Sequence, residues 1–544
     1  MTEKIAGKDG KCSNDKAALS LVSREILRRI KENGISGDKA LNSLKKKVAE
    51  EMGFSGFISN IKILSSIDSA DAVRFRELFM TKPGRSQSGV SVVAIMTKPI
   101  KCPHGKCIYC PGGPESFFGD TPQSYTGKEP AARRAMRAFY DPYLQVMNRL
   151  EQYTVTGHIP EKAELIIMGG TFPSFDDSYQ DEFVSYSFKA MNDFSSEFFR
   201  DRILDSEKFR DFFELPCDVT DEGRTEKIQK KLLLLKGNLA PSLSDEQLKN
   251  EYSLVRCVAM CIETRPDYCK KPHIEKMLRL GATRVEIGVQ SIYDSVLNKI
   301  ERGHSVKDIV EATRLLKNSF LKVGYHMMIG LPLSSSEDDV NGLREIFENS
   351  DFRPDNLKIY PCMVIKGTKL YDMWKNKAGV EMTNLRQMIS NSMRDEKLSC
   401  RCIRCREPRG RKVDYEMVRI KRIDYDASLG KEIFLSFEDA KNDIIIGFCR
   451  LRIPCKPFIP GIGVNSAGIR ELHVYGESLP IGSSFRESSS QHRGFGKMLI
   501  SEAERIAKEE FGCSEIHVIS GVGVREYYRS IGYSRNGAYM SKKI

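Results

Sequence analysis

The chain has 544 residues, 40% of them hydrophobic, with 85 Lys and Arg against 73 Asp and Glu and a formal charge of +12. That length holds more than one domain, and the apolar content is enough for ordinary packed cores. No apolar run approaches the roughly 20 residues that span a bilayer, and the polar opening MTEKIAGKDGKCSND has no signal-peptide core, so the reading is a cytoplasmic chain with no membrane partner. The modest basic excess permits a polyanionic partner without requiring one. Fifteen cysteines in a cytosolic setting point to metal or redox chemistry rather than disulfides.

Residues 1 to about 75 read as a basic helical arm. Apolar residues in Ala18-Leu19-Ser20-Leu21-Val22 and at Ile26 and Leu27 recur at helical spacing between Arg24, Arg28, Arg29 and Lys31, and Lys45, Lys46 and Lys47 continue the charge. Alone, this is a solvated helical surface; a docking role depends on what the rest of the chain does. From about Val90 short apolar strands, at 91–96, 165–168, 257–261, 284–289, 323–328 and 357–360, alternate with helical stretches. Such alternation predicts a parallel sheet, open or closed into a barrel. A charged helical segment from about 193 to 250 reads as an insertion. A cysteine-rich linker at 386–411 leads to a second α/β region, 412–544, with strands at 433–437, 444–449, 471–475 and 515–519 and one long helix from Gly496 to about Glu510.

Within the first α/β region, KCPHGKCIYCPGGP places Cys102, Cys107 and Cys110 as C-x4-C-x2-C. Three soft thiolates suit an iron–sulfur cluster or zinc. A four-iron cluster held by three cysteines keeps one iron open, as a catalytic metal requires. The spacing alone leaves open a zinc site completed by His104 or a remote ligand. Tyr109, just before the last cysteine, favours the cluster. In the linker, Cys400, Cys402 and Cys405 form C-x-C-x2-C among Arg401, Arg404, Arg406, Arg409 and Arg411, and those arginines can touch phosphates. In the second region Gln491-His492-Arg493-Gly494-Phe495-Gly496 has the form Q-x-x-G-x-G and opens a helix. Exposed N–H groups and the helix dipole there favour a pyrophosphate.

These blocks, with TPQSYTGKEPAARRAMRAFYDPY, IIMGGTFPSF, CIETRPDYC, TRVEIGVQSIYDSVL, ELHVYG and ISGVGVREYYRSIGY, resemble the radical S-adenosylmethionine superfamily. More closely they resemble the Elongator catalytic-subunit family in its archaeal form, from about residue 70 to the end. The resemblance implies a partial (β/α) barrel of radical type over 76–385, followed by a GNAT-type N-acetyltransferase α/β domain. It implies a 4Fe-4S cluster on Cys102, Cys107 and Cys110, and S-adenosylmethionine on Gly169, Gly170 and Thr171. Glu263, Thr264, Arg265, Glu286 and Gln290 stand at later strand ends, each open to a structural reading. It implies structural zinc on Cys400, Cys402 and Cys405 with His473 as candidate fourth ligand, against a packed core histidine. It assigns acetyl-CoA to Glu471, Leu472, His473 and Val474, to Gln491, Arg493, Gly494, Phe495, Gly496 and Lys497, and to Tyr528, with Lys162 placing the acyl carrier between the domains. Tyr527, Tyr528 and Lys162 are the candidate catalytic residues; the plain alternative for the tyrosines is that one packs and one is exposed. Between Trp374 and Asn384 the chain has nine residues where similar proteins carry a few dozen more.

The expected activity is C5 carboxymethylation of the tRNA wobble uridine from acetyl-CoA and S-adenosylmethionine, with the N-terminal arm docking tRNA. Partner subunits or a second copy stay open. The rival readings are a protein lysine acetyltransferase with a structural iron–sulfur domain and a non-enzymatic tRNA-binding module.

Overall fold

The computed structural model describes residues 6–55, 58–82, 89–216, 222–375, 385–476 and 494–544; Gln491, Arg493 and the short stretch 376–384 lie outside them. Two helices come first, α1 (Ala6–Asn33) and α2 (Asp38–Glu51). With the short helices that follow they share one apolar cluster of Leu19, Val22, Ile26, Leu41, Val48, Ile63 and Phe79. Much of the expected basic surface is already paired. Arg28 meets Glu25 at 2.8 Å and Glu32 at 2.6 Å, and Arg29 meets Glu25 at 2.7 Å and Glu51 at 2.5 Å. Lys45 is buried and donates to Asn60 at 2.8 Å. Lys46 and Lys47 stay on the surface.

Six parallel strands follow: β1 (Ser91–Met96), β2 (Lys162–Met168), β3 (Arg256–Thr264), β4 (Arg284–Gln290), β5 (Lys322–Ile329) and β6 (Asn356–Pro361). They hydrogen-bond in chain order, so β1 and β6 are edges and the barrel is partial. Parallel neighbours need crossovers, and helices supply them, burying one face of the sheet. Val285, Ile287 and Val289 of β4 join that core. Residues alternating with them, such as Glu286, line the inside of the barrel.

The second sheet runs β7 (Val418–Ala427), β8 (Gly430–Asp439), β9 (Ile444–Ile453), β10 (Ser466–Val474), β11 (Glu515–Ile519), with β13 (Tyr539–Lys543) beside β11 and β12 (Ser534–Asn536) outside it. All neighbours are antiparallel except β10 and β11. Helix α3 (Phe495–Arg505) lays Leu499, Ile500 and Ala503 against this sheet. Among the described residues no helix is long and apolar enough to cross a membrane.

The two sheets are welded through a buried seam. Ile459, Ile462, Ile519, Val522 and Tyr539 belong to the same apolar core as the barrel. A side chain at Gly468 would set its Cβ 2.1 Å from Phe320, and one at Gly521 would meet the Val258 carbonyl at 2.0 Å. Asp355 of the barrel accepts from Arg470 of the second sheet at 2.8 and 3.0 Å, with Arg450 and Lys317 each at 3.7 Å. Arg452 reaches Asn318 at 2.6 Å and Glu432 at 2.8 Å, and Lys322 pairs with Glu471.

Candidate active site

The loop after β1 carries the first three cysteines to the C-terminal end of the parallel sheet, where α/β folds keep their chemistry. Cys102 Sγ lies 3.7 Å from Thr171 Oγ1, which ties this loop to the turn after β2. Cys107 Sγ lies 3.2 Å from His104 Nε2 and receives Arg302 Nη1 at 3.6 Å. Cys110 accepts the Ser124 N–H at 3.3 Å and donates to Gln123 Oε1 at 3.1 Å. Only two groups among the described residues gather three ligating atoms within 4.8 Å, Cys400, Cys402 and Cys405, and Glu263, Glu286 and His326. The thiols of the first loop stand wider. A single ion draws its ligands around one centre, whereas a multi-iron cluster takes each thiolate on a different iron, so the wider set fits the cluster. Beside it Gly169 and Gly170 are left-handed, at φ 107° and 85°. A Cβ on Gly169 would fall 2.8 Å from Thr97 Oγ1. The turn is therefore glycine by necessity, and its backbone can approach a bound molecule closely.

The barrel interior is a chain of charge. Glu263 and Glu286 are paired in register on β3 and β4. Lys358 of β6 bridges them, at 3.4 Å from Glu263 and in closer contact with Glu286. His326 Nε2 lies 2.8 Å from Glu286, Arg284 Nε 3.3 Å from it, and Tyr125 donates to Glu263 at 3.2 Å. Burial alone would raise Glu286; the hydrogen bond to His326 and the charges of Arg284 and Lys358 hold it well below the carboxylate range instead. Arg265 is buried, paired with Asp267 at 2.9 Å, and donates to the Arg302 carbonyl at 2.8 Å. Gln290 closes β4 with φ 69°.

In the second sheet β10 pairs with β11 from Ser466 to Ile469, then continues beside β9 to Val474. The two central strands part beyond Ile469 and leave a wedge along Glu471, Leu472, His473 and Val474. The helix N-terminus faces that wedge. Gly494 caps α3 at φ 85°, and a Cβ on Gly496 would meet Tyr527 Oη at 2.9 Å and Val474 Cγ2 at 3.7 Å. Val474, Gly496 and Tyr527 thus converge, while Lys497 is exposed. Tyr528 is buried in the core, T-shaped against Tyr533 at 5.8 Å. Burial pushes the Tyr527 phenol up to about 12, so it is a proton donor, not a base, near neutral pH. The Glu471 side chain points into the seam, to Lys322 and Arg450. Phe495 joins the core beside Phe437, with ring centroids 4.9 Å apart.

Lys162 opens β2, at the end opposite Gly169, in register with Arg256. Gly523 of the second domain lies against Arg256, a Cβ there falling 2.4 Å from the Arg256 Cβ. Lys162 therefore sits beside the seam, and burial lowers its pKa. In the linker the thiol group does not take in His473, whose ring lies 4.4 Å from that of Tyr475 and whose Nε2 is buried without a hydrogen-bond partner. Arg406 anchors the linker to Glu438 at 2.6 Å and Asp443 at 2.8 Å. The Cys405 thiol is pushed up to about 11 by hydrogen bonding to Cys402. Three exposed thiols this close are a donor set suited to zinc. Protein purified without chelators is expected to carry one equivalent of zinc. Serine at Cys400, Cys402 and Cys405 should remove it and lower the melting temperature by several degrees; zinc-free protein of unchanged melting temperature would refute the site.

Sequence reasoning did not single out Gln123, Ser124, Tyr125, Arg302, His326 or Lys358. Gln123, Ser124 and Tyr125 lie within the TPQSYTGKEP block, which was the available signal for them; His326 and Lys358 lie inside β5 and β6 and Arg302 in a loop between two helices, where no local pattern marks them.

The model of the Radical SAM superfamily matches residues 99–341. Over 571 residues the chain is 43% identical to a tRNA uridine(34) acetyltransferase of Methanocaldococcus infernus, covering 96% of this chain and 98% of that one. It is 37% identical over 582 residues to Elongator complex protein 3 of Homo sapiens, covering 97% of each. Among solved structures it is similar to the archaeal Methanocaldococcus infernus Elp3 with an N-terminal deletion. The TM-score is 0.66 and the identity 41%, over 84% of this chain and 100% of that one.

Proposed function

The chain belongs to the family of the tRNA uridine(34) acetyltransferases and Elongator complex protein 3, and on that premise we propose that it modifies the wobble uridine of tRNA, specifically by carboxymethylation at C5. The observation that carries the finer reading is the fusion of two different sites, a three-thiol loop at the mouth of a polar barrel and a helix-capped wedge, across one buried seam. A bound cluster with S-adenosylmethionine supplies one-electron chemistry, and acetyl-CoA supplies the two-carbon unit. Cys102, Cys107 and Cys110 would hold the cluster. Gly169, Gly170 and Thr171, with Arg265 and Gln290 at the same mouth, would hold S-adenosylmethionine.

The barrel interior suits a pyrimidine. Uracil presents carbonyl acceptors and an N–H donor; Lys358 and His326 offer donors, and Glu263 and Glu286 offer acceptors. In the second domain Gly494, Phe495, Gly496 and Lys497 would bind the pyrophosphate through the α3 N-terminus. Residues 471–474 would pair with the pantetheine arm, and Tyr527 would donate a proton or hydrogen bond at the thioester. Lys162 would act at the seam, and Tyr528 would hold Tyr527 in place. The N-terminal arm would add tRNA affinity through exposed lysines such as Lys47, and Lys46 with its long 3.8 Å contact to Glu50, rather than through Arg28 and Arg29, which are closely paired.

Anaerobic incubation of the reconstituted full chain with tRNA, acetyl-CoA, S-adenosylmethionine and a reductant, followed by nucleoside mass spectrometry, tests this. The expected result is carboxymethyluridine that disappears when any one component is omitted. Unmodified tRNA together with acetylated lysine in protein would replace this reading with a protein acetyltransferase.

A further inference from the structure

Resting on the reading that the three thiolates carry a four-iron cluster, we propose that Arg302 is the buried counter-ion of that cluster, a positioning residue outside the ligand set that raises its reduction potential. Arg302 is 8% exposed. A guanidinium so placed needs an anion, because an unpaired buried charge is very costly. Its Nη2 and Nε donate to the neutral Gly288 carbonyl at 2.6 and 3.3 Å, and its Nη1 is directed at Cys107 Sγ, 3.6 Å away. Among the described residues no carboxylate forms an ion pair with it. Arg265 alongside is different, since Asp267 neutralises it at 2.9 and 3.0 Å. On the reading that Cys107 ligates the cluster, its sulfur is the anionic partner that Arg302 Nη1 faces.

The backbone enforces this placement. A Cβ on Gly288 would lie 2.5 Å from Arg302 Nη2, so β4 leaves a hole that the guanidinium fills. Gly303, at φ 76°, is pressed against His104, where a Cβ would fall 2.8 Å from the His104 Cβ and 3.1 Å from its ring. Arg302 is thus locked between a strand carbonyl and a cluster ligand. Reduction adds one negative charge to the cluster. A fixed cation donating a hydrogen bond to a ligand sulfur favours that charge, and net charge and hydrogen bonds to sulfur are what set iron–sulfur potentials. The low dielectric of the site strengthens the effect.

The test uses the full chain, reconstituted anaerobically as wild type, Arg302→Met and Arg302→Lys, with iron content, circular dichroism and an electron-paramagnetic-resonance redox titration without S-adenosylmethionine. The expected result is a normal iron content and a midpoint that falls in the order wild type, Arg302→Lys, Arg302→Met. At fixed potential the ratio of reduced to oxidised cluster should drop at least tenfold in Arg302→Met, about 59 mV for one electron. An unchanged midpoint with weakened S-adenosylmethionine binding would make the cofactor's carboxylate the true anion and overturn the proposal. If Arg302→Met takes up no cluster, Arg302→Lys decides: a lowered midpoint supports the role, and a wild-type midpoint overturns it. If both variants stay folded but empty, the arginine serves assembly, not potential, and the proposal fails. A wild type that shows no four-iron signal would instead refute the cluster reading itself.

Discussion

Serine at Cys102, Cys107 and Cys110 is expected to abolish the broad visible absorbance of the anaerobically reconstituted protein, together with reductive cleavage of S-adenosylmethionine. The loss at this site should be complete, because the described thiols of the neighbouring strand and turn are buried. Cys257, Cys261 and Cys269 are buried, and burial pushes the Cys257 thiol up to about 12. A thiol held protonated in a core is a poor ligand. Serine at those three positions should therefore leave cluster absorbance intact, while costing some stability. Circular dichroism should show the triple variant of the first loop still folded, since the loop lies outside the sheet. Persistence of the absorbance in that variant would remove the iron assignment.

Asp355→Ala is expected to destabilise the protein by about 3–5 kcal/mol, the cost of breaking a buried charge pair from one side. Asp355 is the acceptor on which Arg470, Arg450 and Lys317 converge. Without it three buried cations face one another with Glu432 as the remaining anion near Lys317 and Arg470. A second change, Arg470→Met, should recover part of the loss, because replacing a buried pair with apolar groups is often close to neutral. Denaturant unfolding followed by limited proteolysis checks both, and a single variant as stable as wild type would contradict the account. Acid should act on the same seam. Burial would raise Glu471, yet Lys322 and Arg450 bring it down to about 2. Its contribution is fully present above the unfolded value near 4.3 and is lost as pH falls toward 2. Amide exchange between pH 5 and 2.5 should show the seam opening before the sheet cores.

The barrel strands were legible because each is a short apolar run bounded by helices, and the structure extends them by only a few residues. The glycine turn after β2 and the spacings of the two cysteine clusters were equally plain. β7 was not. Its residues Val418–Ala427 are exposed along most of their length and carry Arg419, Lys421, Arg422, Asp424 and Asp426, so neither alternation nor an apolar run marks an edge strand. The charged seam was hidden for a related reason. Arg452 and Arg470 are among the largest fully buried side chains, and no hydropathy pattern places an arginine inside. Arg302 escaped notice because its role comes from Gly288, fourteen positions away, and from a cysteine in another loop. Arg28 and Arg29 show the opposite error. Their helical spacing was read correctly, but acidic partners such as Glu25 and Glu51 were not weighed against them.

The seam also limits modularity. The sequence invites a cut in the linker near Arg411, giving one half for radical chemistry and one for acyl transfer. Such a cut would bare Arg450, Arg452 and Arg470 on the second half, with Gly468 stripped of Phe320 and an apolar face at Ile519, Val522 and Tyr539 turned to water. A freshly exposed cationic, greasy surface binds polyanions and itself without regard to biology. Nucleic-acid affinity or self-association measured on an isolated half would therefore describe a wound, and only the uncut chain reports on the native molecule.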